Sequence, residues 1–305
     1  MNRVTGLLVI EVINSNPNGN PDQESDPRQR PDERGMISPV SFKRKLRDLV
    51  EDKEGPAWTE ISGSFDPALK SAEFQALESR GRKRQEILQQ IADKTFSSLY
   101  WDARLFGSTF LESDADKAES AKVAKKSTSE KPRNNDDKKK EFIRTGVAQF
   151  GMGISISPVR IDRHTNTNKA GVEEGKDRGM APLAYRFVPH GVYMMPYFLN
   201  AAAARNSGCT DVDVELMKRL IPYAYSLTPS AIRPQVIVRH AWHMEHTSAL
   251  GSCPDFLLLD AMTPKRKDAS LTDRPSTSWN DYDVPRLLPD DLVKRLKSIT
   301  DLVRG

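Results

Sequence analysis

An α+β fold, one sheet with helices on one face, is the architecture this sequence predicts. Three observations carry that reading. Short apolar runs of strand length, rich in β-branched residues, recur at Gly6–Val12 and Gln235–Trp242. Amphipathic helical stretches lie between such runs. The two kinds interleave irregularly, without the regular βαβ alternation of a parallel sheet or the fixed period of a solenoid.

Composition sets the outer bounds. At 305 residues the chain accommodates one large domain or two small ones. With 37% hydrophobic and 29% charged residues, a modest core under much surface is expected. No apolar run approaches the roughly 20 residues of a membrane helix, and no signal-peptide h-region follows Met1. Two cysteines, Cys209 and Cys253, make no disulfide framework and fit the cytoplasm. A net charge of +4 permits a nucleic-acid partner.

The first strand, Gly6–Val12, runs into Asn14-Ser15-Asn16-Pro17-Asn18-Gly19-Asn20-Pro21-Asp22, a dense turn signal. Asn-Gly favours positive φ and each Pro fixes φ, so the loop is shaped, with Asn16, Asn18 and Gly19 offering amide and backbone donors. Ser38 is a good N-cap and Pro39 suits the first helical position. The helix buries Phe42, Leu46, Leu49 and Val50 at i, i+4, i+7, i+8 spacing. Lys43, Arg44 and Arg47 lie off that stripe. A cationic ridge beside a polar loop is what a polyanion contact needs; a solvated helix face is the plain alternative.

Residues 51–81 mix Pro, Gly, Trp58, Phe65 and charge without a period and read as an insertion with little regular structure. Together with a helix over Lys83–Leu99, they define an inserted region at 51–99. Residues 113–140 are poor in apolar types and rich in Lys, Ser and Asp, the composition of a mobile polar loop. Phe142–Val159 alternates and is punctuated by Gly146, Gly151 and Gly153, as where another backbone approaches closely.

A strand then climbs through Arg163, His164 and Thr165 into the polar stretch Asn166–Gly179 and returns over Met180–Val192, making a protruding hairpin at 160–187. Tyr193–Leu199 reads as another strand. Thr210 caps a helix carrying Leu216, Met217, Leu220 and Ile221. Phe256–Leu259 is a short apolar run. Asp290 caps a final amphipathic helix over 289–304 with Leu292, Val293, Leu296, Ile299, Leu302 and Val303.

His240, His243 and His246 form His-x-x-His-x-x-His ahead of Cys253, residue types that bind zinc. On a strand, positions i and i+3 point to opposite faces, so no metal is expected. No phosphate loop or dinucleotide fingerprint is present, so no cofactor is expected either.

Leu8–Asp22 (LVIEVINSNPNGNPD) followed by Phe42-Lys43-Arg44-Lys45-Leu46-Arg47 resembles the opening of the Cas-seven family, closest to its type I-B and I-C branches. Ser15 stands where that family usually has Gly, and Asn20 where it has the first Asp. Patches of resemblance run from about Leu7 to Asp260. The resemblance implies a modified RRM-like (ferredoxin-like) palm with an inserted helical region and a hairpin thumb, one discontinuous RNA-binding domain over 1–305.

It implies the repeated backbone subunit of a CRISPR Cascade complex. Its partners would be guide crRNA, target DNA through the guide, copies of itself in a helical filament and other Cascade subunits, with no membrane. By resemblance Arg104, in Asp102-Ala103-Arg104-Leu105-Phe106-Gly107, becomes a candidate RNA contact; a structural ion pair with Asp102 or Asp48 is the alternative. Arg144 and Gln149, in a segment like the family's Arg-Gly-Pro-Val-Gln-Phe, lead into its RNA-binding sheet. Arg163, His164, Thr165 and Met180 lie where the thumb meets RNA, and a residue such as Met180 can wedge bases apart.

This chain shows no aromatic stacking signature, so contacts to the RNA backbone are expected, with no catalytic residues. The rival reading is a metal-dependent endoribonuclease of type III kind. Asp22, Asp26 and Asp162 are its candidate acids.

Overall fold

The computed structural model describes residues 1–79, 83–109, 143–168 and 181–304. The polar loop expected at 113–140 and the wedge candidate Met180 lie outside them. Among the described residues, eight strands form one antiparallel sheet.

Its first strand, β1 (Val4–Ser15), extends the predicted run at both ends. β2 (Arg34–Ile37) leads into helix α1 (Pro39–Glu51), where the Ser38 hydroxyl accepts the Ser41 N–H at 3.2 Å and the predicted apolar stripe is buried. The insertion is more regular than its composition implied. Pro56 at the first helical position opens α2 (Pro56–Gly63), which buries Trp58. The helix expected over Lys83–Leu99 is broken into α3 (Arg84–Ala92) and α4 (Phe96–Leu99). Lys94, at φ +60°, makes the break, and the Thr95 N–H closes it on the Gln90 carbonyl at 2.9 Å.

After α5 (Trp101–Phe106), a short ribbon pairs β3 (Gly107–Thr109) with β4 (Ile143–Thr145). A Cβ on Gly146 would fall 2.1 Å from the Gly107 nitrogen, the backbone approach its glycine predicted. β5 (Ala148–Phe150), β6 (Gly153–Pro158) and β7 (Asp162–Asn168) all pair with β8 (Ala181–Leu199). β8 is a single 19-residue strand, so the two strands read at Met180–Val192 and Tyr193–Leu199 are one. α6 (Asp211–Leu220) starts on a capping box between Thr210 and Asp213. β9 (Val236–His246), α7 (Asp255–Met262) and α8 (Asp290–Val293) follow.

The final amphipathic helix is a correction. Only one turn forms, capped by Pro289 rather than Asp290, and residues Leu296–Asp301 make strand β10. β10 pairs with β9 from Trp242↔Asp301 to His246↔Leu296, and this pairing overrides the helical spacing of the apolar residues.

The strands run β10–β9–β1–β8–β6–β2, with β5 and β7 on further stretches of β8. Both faces of the centre are covered. Leu8, Ile10 and Val12 pack with Phe42 and Leu46 of α1 and with Leu216, Met217 and Leu220 of α6. Opposite, Leu7, Trp242 and Met244 pack with Leu258, Met262, Leu288 and Leu292, and Val9 packs with Tyr282. A strand covered on both faces reads as a continuous apolar run, which is why Gly6–Val12 does not alternate.

Candidate nucleic-acid interface

Two elements meet at one corner of the sheet: the turn-rich loop after β1 and the β7–β8 ribbon. The Asn16 carboxamide donates to the Ser25 carbonyl at 2.8 Å, and the Asn16 N–H donates to that of Ile232 at 2.7 Å. The Asn18 Oδ1 accepts the Ser38 N–H at 2.7 Å, tying the loop to the start of α1. Gly19–Asn20 pairs with Asp26–Pro27 in a two-residue ribbon. Its turn carries Glu24 at φ +47° and Ser25 at φ +68°, both in the left-handed region that costs a side-chain-bearing residue energy. The loop is shaped, as its sequence predicts, and Asn16 and Asn18 hold that shape.

The ribbon is an outward extension of the central strand. β8 pairs with β1 from Val188 to Leu199 and with β7 from Ala181 to Phe187. At its base Arg163 and Arg186 stand directly opposite each other. Like charges in that position repel. Asp26 resolves the repulsion: its carboxylate binds Arg163 and lies 3.4 Å from Arg186, which also binds Glu24. The Arg163 hydrogen bond holds the Asp26 carboxyl below the usual carboxylate range despite partial desolvation. The Arg163 side chain is 65% exposed, His164 packs edge-on against Phe187 with ring centroids 5.1 Å apart, and Thr165 is exposed. Sequence reasoning missed Arg186; only the register with Arg163 reveals it.

The cationic ridge of α1 is a correction. Arg47 is buried, donating to Asp102 at 2.8 Å and Glu78 at 3.1 Å with its guanidinium over the Phe106 ring. Arg44 bonds Asp48 at 2.7 Å and Glu51 at 2.9 Å. Lys43 leans over Phe106, and desolvation lowers its pKa. Asp102 and Phe106 of α5, with Glu78 of the inserted region, pack over Arg47 and Lys43, while Arg44 stays near the surface. Arg104, like Arg47, is internal. It grips Asp213 and donates to the Ser97, Ser98 and Glu73 carbonyls at 2.9–3.1 Å, a partner set containing neither Asp102 nor Asp48. Arg144 reaches the Ser97 hydroxyl at 2.7 Å, and Gln149 is exposed with its amide on the Gly146 carbonyl.

The three histidines have three environments. His240 bonds Asp301, His243 bonds the Tyr197 hydroxyl, and His246 bonds Thr5. Among the described residues, no group of three or more His, Cys, Asp or Glu could hold a metal. Of the candidate acids, Asp26 is paired with arginines, Asp162 bonds Arg160 at 2.7 Å, and Asp22 is exposed. No helix among the described residues is long and apolar enough to cross a membrane.

A curated protein of Haloferax volcanii described as "CRISPR-associated protein Cas7" is 25% identical over 234 residues, 72% of this chain. The chain spans 63% of that relative's length. Among solved structures, a chain of a "CRISPR RNA-guided surveillance complex, pre-nicking" superposes with a TM-score of 0.41 at 15% identity, covering 80% of this chain and 78% of the other. A chain of another "CRISPR RNA-guided surveillance complex" superposes at 0.38 and 13% identity, covering 79% and 69%. The sequence profile of the family "CRISPR-associated protein Cas7" matches residues 2–286, nearly the whole chain. On that match, the chain belongs to the Cas7 family.

Proposed function

We propose that this protein is the repeated backbone subunit of a type I CRISPR Cascade complex. It binds guide crRNA along the RNA backbone, whatever its sequence, and presents it for pairing with target DNA. Copies of the chain stack in a helical filament with other Cascade subunits, in the cytoplasm. The palm is the ferredoxin-like, RRM-related part: β1, α1, β6, β8, α6 and β9 follow the β-α-β-β-α-β order of that motif. The ribbon is the thumb.

Family membership across residues 2–286 is the observation that carries this reading. The loop–ribbon corner supports it. Arg163, His164 and Thr165 are exposed on an arm continuous with the central strand, a geometry suited to reaching a neighbour and a strand of RNA. The sheet face that RRM domains use for stacking bases is covered here by residues of α7, α8 and Tyr282, so RNA is expected at the loops and the arm. The protein is a scaffold without nuclease activity: Asp26 and Asp162, two of the three candidate acids, are neutralised by arginines.

Purified protein should carry a discrete small RNA in a long particle. Replacing residues 166–179 by a short Gly-Ser turn should leave folded monomers or short oligomers with weak RNA binding. Complementary RNA with Mg²⁺ should stay intact. Protein free of RNA, or regularly spaced cuts abolished by Asp22→Ala, would overturn the reading.

A further inference from the structure

We infer that a cavity at the β9–β10 edge of the sheet is a binding site for a phosphate-type oxyanion, distinct from the loop–ribbon corner. The cavity measures about 360 Å³, and its lining includes His240, Trp242, Arg286, Thr300, Asp301 and Arg304. Its construction starts from Asp301, the last residue of β10, which sits opposite Trp242 of β9.

Asp301 is the one acid among the lining residues, and its acceptor capacity is taken up inside the protein. One oxygen accepts the Ala241 N–H at 2.9 Å and the Val303 N–H at 3.2 Å; the other meets His240 Nδ1 at 2.7 Å. Burial pushes this carboxyl up, but the bonds from His240, Ala241 and Val303 prevail and hold it below the ordinary value. An ionised Asp301 only accepts, so His240 donates from Nδ1, and its Nε2 has no hydrogen-bond partner among the described residues. The ring is held as well as oriented. It stacks on Trp242 at 5.4 Å and 6°, and on Trp279 at 6.2 Å and 24°. His240 is 3% exposed.

Three further features select the ligand class. Arg286 is exposed and has no partner among the described residues. Arg304, 56% exposed, approaches Asp301 only at 3.9 Å and keeps most of its donors free. Trp242 lines the cavity and is 7% exposed, yet its Nε1–H has no hydrogen-bond partner. Two guanidiniums beside a cavity whose acid is already satisfied, with the Trp242 ring in its wall, suit a small anion of several acceptor oxygens. Arginine matches phosphate geometry in this way. The nearby Arg239 adds no free charge, because Glu11 lies 2.7 Å from it.

The ligand is a phosphate group, free or borne by a nucleic-acid strand. The full chain, labelled with ¹⁵N, has four tryptophans and hence four indole N–H resonances. That of Trp242 is identified by its loss in Trp242→Phe. Titration with inorganic phosphate should shift it saturably, and Arg286→Gln/Arg304→Gln should weaken binding by about tenfold or more. Both arginines are exposed, so the double variant should keep its wild-type melting temperature.

Short RNAs with a 5′-phosphate or a 5′-hydroxyl then compete. Displacement by the first alone names a terminal phosphate; displacement by both, a backbone phosphate; displacement by neither, a free oxyanion. Each of these supports the site. A Trp242 resonance that phosphate does not move, or moves equally in the double variant, would overturn it.

Discussion

The Arg104 guanidinium holds both carboxylate oxygens of Asp213, with contacts of 2.6–3.1 Å between side chains that are 8% and 1% exposed. Asp213 simultaneously closes the capping box of α6 through the Thr210 N–H at 2.8 Å. One carboxylate thus fixes the start of a core helix and joins it to α5. Arg104→Gln leaves Asp213 buried without its counter-charge, and the expected cost is about 3–5 kcal/mol. Urea unfolding should show it as a lowered midpoint, with RNA affinity of the folded fraction unchanged.

The α1 ridge predicts a contrast between neighbours. Arg47→Ala strands Asp102, a residue 1% exposed, and should cost about 3 kcal/mol or more. Arg44 pairs near the surface, so Arg44→Ala should cost under about 1 kcal/mol. Thermal melts of the two variants compare them directly. Equal effects would argue that α5 does not cover Arg47 in solution.

Asp26 competes for the cations that RNA phosphates would use. Asp26→Asn should therefore tighten binding to any single-stranded RNA and steepen its salt dependence, by a log–log slope of about 0.7 per phosphate gained. The same change leaves Arg163 and Arg186 facing each other, so hydrogen exchange at the ribbon base should rise in the absence of RNA. The folded pKa of Asp26 is lowered, so the latch is complete above the ordinary carboxylate value of 3.8 and is lost only as pH falls through the lowered one.

Burial pulls the His243 pKa down from 6.5 to about 4. The unfolded chain therefore takes up a proton at His243 that the folded chain refuses between those two values. Stability should fall as pH drops through this window, by up to about 3 kcal/mol from this group. Melting temperatures at pH 7 and pH 4.5 measure it. His243→Asn, which keeps a polar partner for the Tyr197 hydroxyl, should show a shallower fall.

Local signals are legible where local chemistry decides. Ser38-Pro39 and the Phe42/Leu46/Leu49/Val50 stripe predict α1, and Thr210 predicts α6, because capping and periodicity act within a few residues. The failures share the opposite cause. Leu292, Val293, Leu296 and Ile299 keep helical spacing, but β9 offers an unpaired edge, and Ile299 and Thr300 suit a strand. Arg104 meets Asp213 across 109 positions of sequence, so no spacing announces the pair. Lys43 and Arg47 lie off the apolar stripe, yet a second layer led by Asp102 and Phe106 of α5 buries Arg47 and half-buries Lys43. At the loop–ribbon corner, the turn chemistry was legible, but Asp26 lying between two arginines depends on strand register.

The placement of β1 governs how the chain is made. Val4 pairs with Leu199 on one side and with Glu245 on the other. At about 5–20 residues per second, the first strand waits roughly 10–40 s for its nearer partner, and longer for the second. Throughout that time an apolar segment, Leu7–Ile10, leaves the ribosome with both edges open, the kind of strand that other nascent chains can capture. Contacts this distant in sequence also form slowly once synthesis is complete. A chain stalled short of His246 cannot close its central strand, so partial products should recruit chaperones or aggregate rather than accumulate as folded fragments.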